Sequence, residues 1–149
     1  RGVSGPAAVV GAVLLALAAL HALWATGASW PARDRRTLSA TVVGHPLLRD
    51  MPGQGITAVV AGALFVAVWI VMAGGGLAPW PLPEAFLRIA LAGVAAVLLA
   101  RGSVTYLNGG PWRAEVQPFT RLDRRIFAPL CLALGCGVGL ILVAHWARL

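Results

Sequence analysis

Lysine is absent from this sequence, and charge of either sign is scarce. All twelve basic residues are arginines, five residues are acidic, and charged residues make up 11% of the chain. A soluble domain carries about 25%. Without lysine no P-loop can be completed, so the glycines of "MAGGG" and "NGG" are not phosphate loops of that kind. The five acidic residues (Asp34, Asp50, Glu84, Glu115 and Asp123) fall in loops or at helix ends. Proton and ion carriers want carboxylates in mid-membrane, so active transport is disfavoured. The two cysteines, Cys131 and Cys136, form no C-x-x-C pair, which argues against thiol–disulfide chemistry. Their spacing sets them roughly 140° apart on a helix, and both are expected to be small packing residues. The three histidines are His21, His45 and His145. His21 and His145 belong to opposite membrane faces and His45 to a loop, so a bis-histidine haem is disfavoured. No H-x-x-x-H, H-E-x-x-H or cysteine cluster supplies a metal set. No cofactor and no metal is expected.

What the chain does have is apolar bulk: 59% of its 149 residues are hydrophobic. A chain of this size has too little interior to hide that surface, so lipid must cover it. A pI near 11.5 would suit nucleic acid, but the arginines flank hydrophobic spans, where the membrane rule for positive charge explains them. Arginine without lysine, beside abundant Ala, Gly, Val and Leu, fits a GC-rich coding bias. No nucleic-acid partner is expected.

A bilayer core takes about twenty apolar residues per helix, and four stretches qualify: 6–26, 56–77, 84–107 and 126–147. The first is too long for a cleavable signal, and no small-residue cleavage site follows it. "APWPLPE" makes a stiff connector before the third span. Loops 27–55 and 108–125 hold eight arginines (Arg33, Arg35, Arg36, Arg49, Arg113, Arg121, Arg124 and Arg125), against Arg1, Arg88 and Arg148 on the other side. The positive-inside rule therefore makes those loops cytoplasmic and sends both termini outward, in a cell (inner or plasma) membrane. The expected fold is all-α, a four-helix transmembrane bundle forming one integral membrane domain. Small residues should line its seams; Gly135 with Gly139, and Ala7 with Gly11, are spaced for packing within the bundle first and for a dimer seam second.

The polar residues gather in one leaflet. His21 and Trp24 share a helix face about 7–8 Å inside the end of the first span. Arg101 lies at similar depth on the third, Gln54 and Thr57 open the second, and Asp123 opens the fourth as part of Thr120-Arg121-Leu122-Asp123. The candidate cluster is His21, Trp24, Trp30, Arg101, Tyr106, Asn108 and Asp123, the default place for a site in a bundle. Three roles are open to Arg101: snorkelling to the interface, a structural ion pair with Asp123 or loop carbonyls, or ligand binding. His21 fits a helix–helix hydrogen bond better than a metal or haem ligand. Trp24, Trp30, Trp80, Trp112 and Trp146 sit where interfacial aromatics are expected, and Trp69 reads as core or lipid-facing.

"LHALWATGASWP", "ARGSVTYLNG" and "FTRLDRRIFAPLCLALG" occur in that order. Together they resemble a family of small bacterial four-helix membrane proteins catalogued as a domain of unknown function. The matching positions are His21, Trp24, Gly27 and Trp30, then Arg101, then Phe119, Asp123, Pro129 and Leu130, with Tyr106 the aromatic of the intervening turn. The resemblance implies the same architecture and the same loop-side cluster. It brings no activity. Two functions follow as expectations. The preferred one is a non-enzymatic accessory or interaction subunit, in a larger membrane complex or a homo-oligomer, or a small-ligand-binding bundle. The other is a membrane enzyme or lipophile carrier using His21 for proton transfer, Arg101 for an anionic group and Asp123 to orient one of them.

Overall fold

The computed structural model describes residues 3–44, 51–107 and 118–147, and among these the chain is helical with no strand. The helices are α1 (Ser4–Ala25), α2 (Arg35–Val42), α3 (Gln54–Gly74), α4 (Glu84–Val104) and α5 (Phe119–Trp146). All but α2 are long and apolar enough to cross a membrane. This is an all-α protein with four spans.

The span limits differ from expectation for local reasons. α3 stops at Gly74, short of Leu77, in a Schellman motif: Leu77 N–H donates to Met72 O at 2.8 Å and Gly76 N–H to Ala73 O at 2.9 Å. α4 ends at Val104 instead of Leu107. α5 begins at Phe119, well before Ile126, because its first turns are helical outside the apolar run. Residues 123–127 of α5 form a π-helical turn.

α2 was not expected inside the first long loop. Asp34 caps it, accepting from Thr37 N–H at 2.8 Å and Thr37 Oγ1 at 3.2 Å. Leu38 is its buried apolar anchor. Gly44, just beyond, takes a left-handed φ of +59° and packs directly on the Phe119 ring, so α2 rests on the first turn of α5.

The spans form two antiparallel pairs, α1 with α3 and α4 with α5. Gly75 lies on Ala7 and Gly11 on Met72 in the first pair. Gly102 lies on Leu132 and Gly135 on Leu99 in the second. The small residues thus let backbones approach where apolar side chains gain little by leaving lipid. Gly139 differs: nothing lies within 4 Å of where its Cβ would stand, so the packing role expected of it within the bundle is not met. The pairs join in a core near the chain termini, where Leu14, Val71, Leu87, Leu91, Val138 and Ile141 are fully covered. Outside it, Val59, Phe65, Ile89, Val97, Leu140 and Val143 stay exposed, as a lipid-facing surface requires. Cys131 is half-buried, but Cys136 is exposed, which limits the expected packing role to the former.

Candidate functional site

Arg101 sits in the last turn of α4, and Asp123 opens the π-helical turn of α5. The Arg101 Nη2 donates to Asp123 Oδ1 at 2.6 Å, and the other carboxylate oxygen accepts from Thr105 Oγ1 at 2.6 Å. Arg101 Nη1 closes the ring by donating to Thr105 Oγ1 at 3.2 Å. Of the three roles open to Arg101, the structure places it in the ion pair. The Arg101 side chain keeps 44% of its surface exposed while that of Asp123 keeps 9%. Asp123 is therefore a shielded anion with both oxygens occupied, and charge-assisted bonds of this length are the strong kind.

The π-helical turn has a matching device. Ala128 N–H donates five residues back, to Asp123 O. In that register Arg124 O would receive the N–H of residue 129, but residue 129 is proline and has none. The Tyr106 hydroxyl supplies the donor instead, reaching Arg124 O at 2.8 Å. Tyr106 thus belongs with Arg101 and Asp123, as a second clasp from the end of α4 to the start of α5.

The other half of the expected cluster lies on α1. His21 Nδ1–H donates to Leu17 O at 2.8 Å, which leaves Nε2 as the acceptor in the neutral ring. The ring tilts against Trp24 at 5.0 Å. Trp24 is buried, and its indole N–H donates to Trp30 O at 2.8 Å. This bond folds the chain back after Gly27, whose φ of +96° suits glycine alone. Among the described residues, the hydrogen bonds and ring contacts of His21 stay on α1 and those of Arg101 on the α4–α5 pair. The cluster is thus two joints: His21, Trp24 and Trp30 make one, and Arg101, Tyr106 and Asp123 make the other. Asn108, Trp112 and His45 lie outside the described residues, as do Arg1, Arg49, Asp50, Arg113, Glu115 and Arg148.

Two polar groupings were missed. Thr105 follows Arg101 by four, a same-face spacing that could have been read from the sequence. At the opposite end, Glu84 Oε2 and His145 Nε2 meet at 2.8 Å, while Arg88 lies over the Trp146 ring at 5.0 Å. The start of the third span and the end of the fourth share a membrane face, so topology alone brought Glu84 and His145 to one level. Trp69 is neither core nor purely lipid-facing: it is partly exposed, and its indole N–H holds Pro79 O at 3.2 Å against Trp80. Among the described residues no three His, Cys, Asp or Glu side chains gather as a metal set.

Comparison with curated proteins and with solved structures returns no match. A family model does match, over residues 14–138, which takes in both joints. The chain belongs to DUF3995, a family of proteins of unknown function.

Proposed function

We propose that this chain is a non-catalytic subunit of a larger assembly in the bacterial inner membrane, with loops 27–55 and 108–125 cytoplasmic. The observation that carries this reading is the outward glycines. Gly62 on α3, Gly93 on α4 and Gly139 on α5 each have nothing within 4 Å of a Cβ position. A glycine inside a helix costs about 1 kcal/mol relative to alanine. None of the three recovers that by close packing inside the chain, whereas a helix from a neighbouring subunit would. The engaged acids agree. Among the described residues Asp34 caps α2, Glu84 meets His145 and Asp123 is closed by Arg101 and Thr105. No carboxylate there is left poised for proton transfer. The enzyme or carrier reading asked His21, Arg101 and Asp123 to converge, and the hydrogen bonds support only the Arg101–Asp123 part.

The test is native electrophoresis of the chain extracted in mild detergent at its natural abundance, with crosslinking in intact membranes. An assembly of fixed stoichiometry is expected, dispersed by G93L or G139L but not by G93A or G139A. A monodisperse single chain in both preparations would sink the reading. Thiol labelling of S29C from either side of sealed vesicles reports the orientation, with access from the cytoplasmic side expected.

A further inference from the structure

At the joint where α1, α2 and α3 meet, two nitrogen donors lie against the bare Cα of Gly27. A Cβ placed there would stand 2.9 Å from Gln54 Nε2 and 3.7 Å from Arg35 Nη1. Arg35 Nη1 is shielded from solvent and has no hydrogen-bond partner among the described residues. The neighbouring carboxylate does not neutralise it, because Asp34 is turned to Thr37 as the cap of α2. A guanidinium nitrogen left dry and unpaired is costly, since the hydration it gives up goes unrecovered. The start of α3 adds to the imbalance. It has no side-chain cap, so its first N–H groups have no partner within the helix. Gly53 and Gly55, on either side of Gln54, leave open space around that turn. Donors converge here, and among the described residues no acceptor answers Arg35 Nη1.

We propose that this joint binds a phosphate-class oxyanion, held by the Arg35 guanidinium, the Gln54 side-chain amide and the free N–H groups at the start of α3. Guanidinium matches phosphate oxygens with two parallel donors, and a helix N-terminus favours the same charge. Trp30, Arg33 and Arg36 are exposed along the segment that runs from Gly27 into α2. A phospholipid headgroup and a free phosphate present the same chemistry to these donors. This site is separate from the outward glycines and does not depend on the subunit reading.

The test uses the full chain in phosphate-free maltoside micelles alone, with phosphatidylglycerol added, and with inorganic phosphate added. Thermal midpoint and indole fluorescence are followed in each. The wild type is expected to be stabilised in at least one of the last two. A response to phosphatidylglycerol alone assigns the lipid headgroup, and a response to added phosphate assigns a soluble source. R35Q is expected to weaken the responding ligand by about tenfold or more, the equivalent of one charge-assisted bond. Q54L should weaken it by less, R33Q should leave it within about twofold, and R35K should restore part of the R35Q loss. A second reading makes Arg35 only a cation for the end of α1. It predicts a lower baseline midpoint in R35Q with an undiminished ligand response, and that result would overturn the proposal. So would a wild type that responds to neither ligand.

Discussion

Arg101 and Asp123 meet at 2.6 Å, but they are not equally covered: the arginine side chain is nearly half exposed and the aspartate side chain almost wholly enclosed. The two charges therefore respond differently to losing each other. Removing Arg101 strands a shielded anion that keeps only the Thr105 hydroxyl. Removing the charge of Asp123 frees a guanidinium that can turn to water. R101M is expected to destabilise the α4–α5 pair by about 1–3 kcal/mol, after allowing for the exposed side of the pair. D123N should cost less. Equilibrium unfolding in mixed micelles gives both values, and equal costs, or the reverse order, would contradict the asymmetry.

The Tyr106 clasp leads to a coupled prediction. Its hydroxyl substitutes for the N–H that Pro129 lacks, at a carbonyl the π-helical turn leaves without a donor. Y106F should cost about 1 kcal/mol, the net value of one hydrogen bond. P129A restores a backbone N–H in reach of Arg124 O or Arg125 O. In that background Y106F should cost clearly less. A double-mutant cycle measures the difference, and strict additivity would show that the two residues do not share the carbonyl.

Asp34 gives a pH prediction outside the spans. The backbone N–H of Thr37, then its hydroxyl, hold the Asp34 carboxyl below the usual range, with Arg36 adding to the effect. A carboxyl depressed in the folded state contributes its stabilisation above its unfolded value, about 3.9. That contribution is lost as pH falls through the lower folded value. The α2 amides should therefore lose protection from hydrogen exchange only in acid, below the ordinary carboxylate range. D34A should remove the protection at neutral pH, and D34N, which still caps, should remove the acid dependence. Unchanged exchange at Thr37 in D34A would refute the capping role.

How much of this could be read beforehand differs by residue. The four spans were legible because hydrocarbon thickness demands about twenty apolar residues, and the chain supplies that number four times. Direction around each helix was not. His21 turns to its own helix, and Arg101 turns to α5. The π-helical turn shifts everything after it by roughly one residue, or 100°, and no apolar periodicity marks it. Gly135 and Gly139 show the same limit: one packs on Leu99 and the other meets open space, though four-residue spacing puts them on neighbouring faces. α2 escaped notice because eight residues in an arginine-rich loop carry no span signal. Its cap, Asp34 with Thr37 three residues on, was there to be read.

The pairing at the opposite end should be the weaker one, and the reason separates the two ends of the molecule. Glu84 keeps 53% of its side-chain surface, so its bond to His145 is largely open to solvent. Exposed ion pairs are worth about 0.2–1 kcal/mol. E84Q should thus cost less than R101M. W146A should cost more than E84Q, because it removes both a large apolar ring and the face on which Arg88 rests. If E84Q proved as damaging as R101M in the same unfolding measurement, the weight assigned to burial at Asp123 would be wrong. The order R101M, W146A, then E84Q would instead locate the charge-dependent stability of the α4–α5 pair at the loop side, where the shielded carboxylate is.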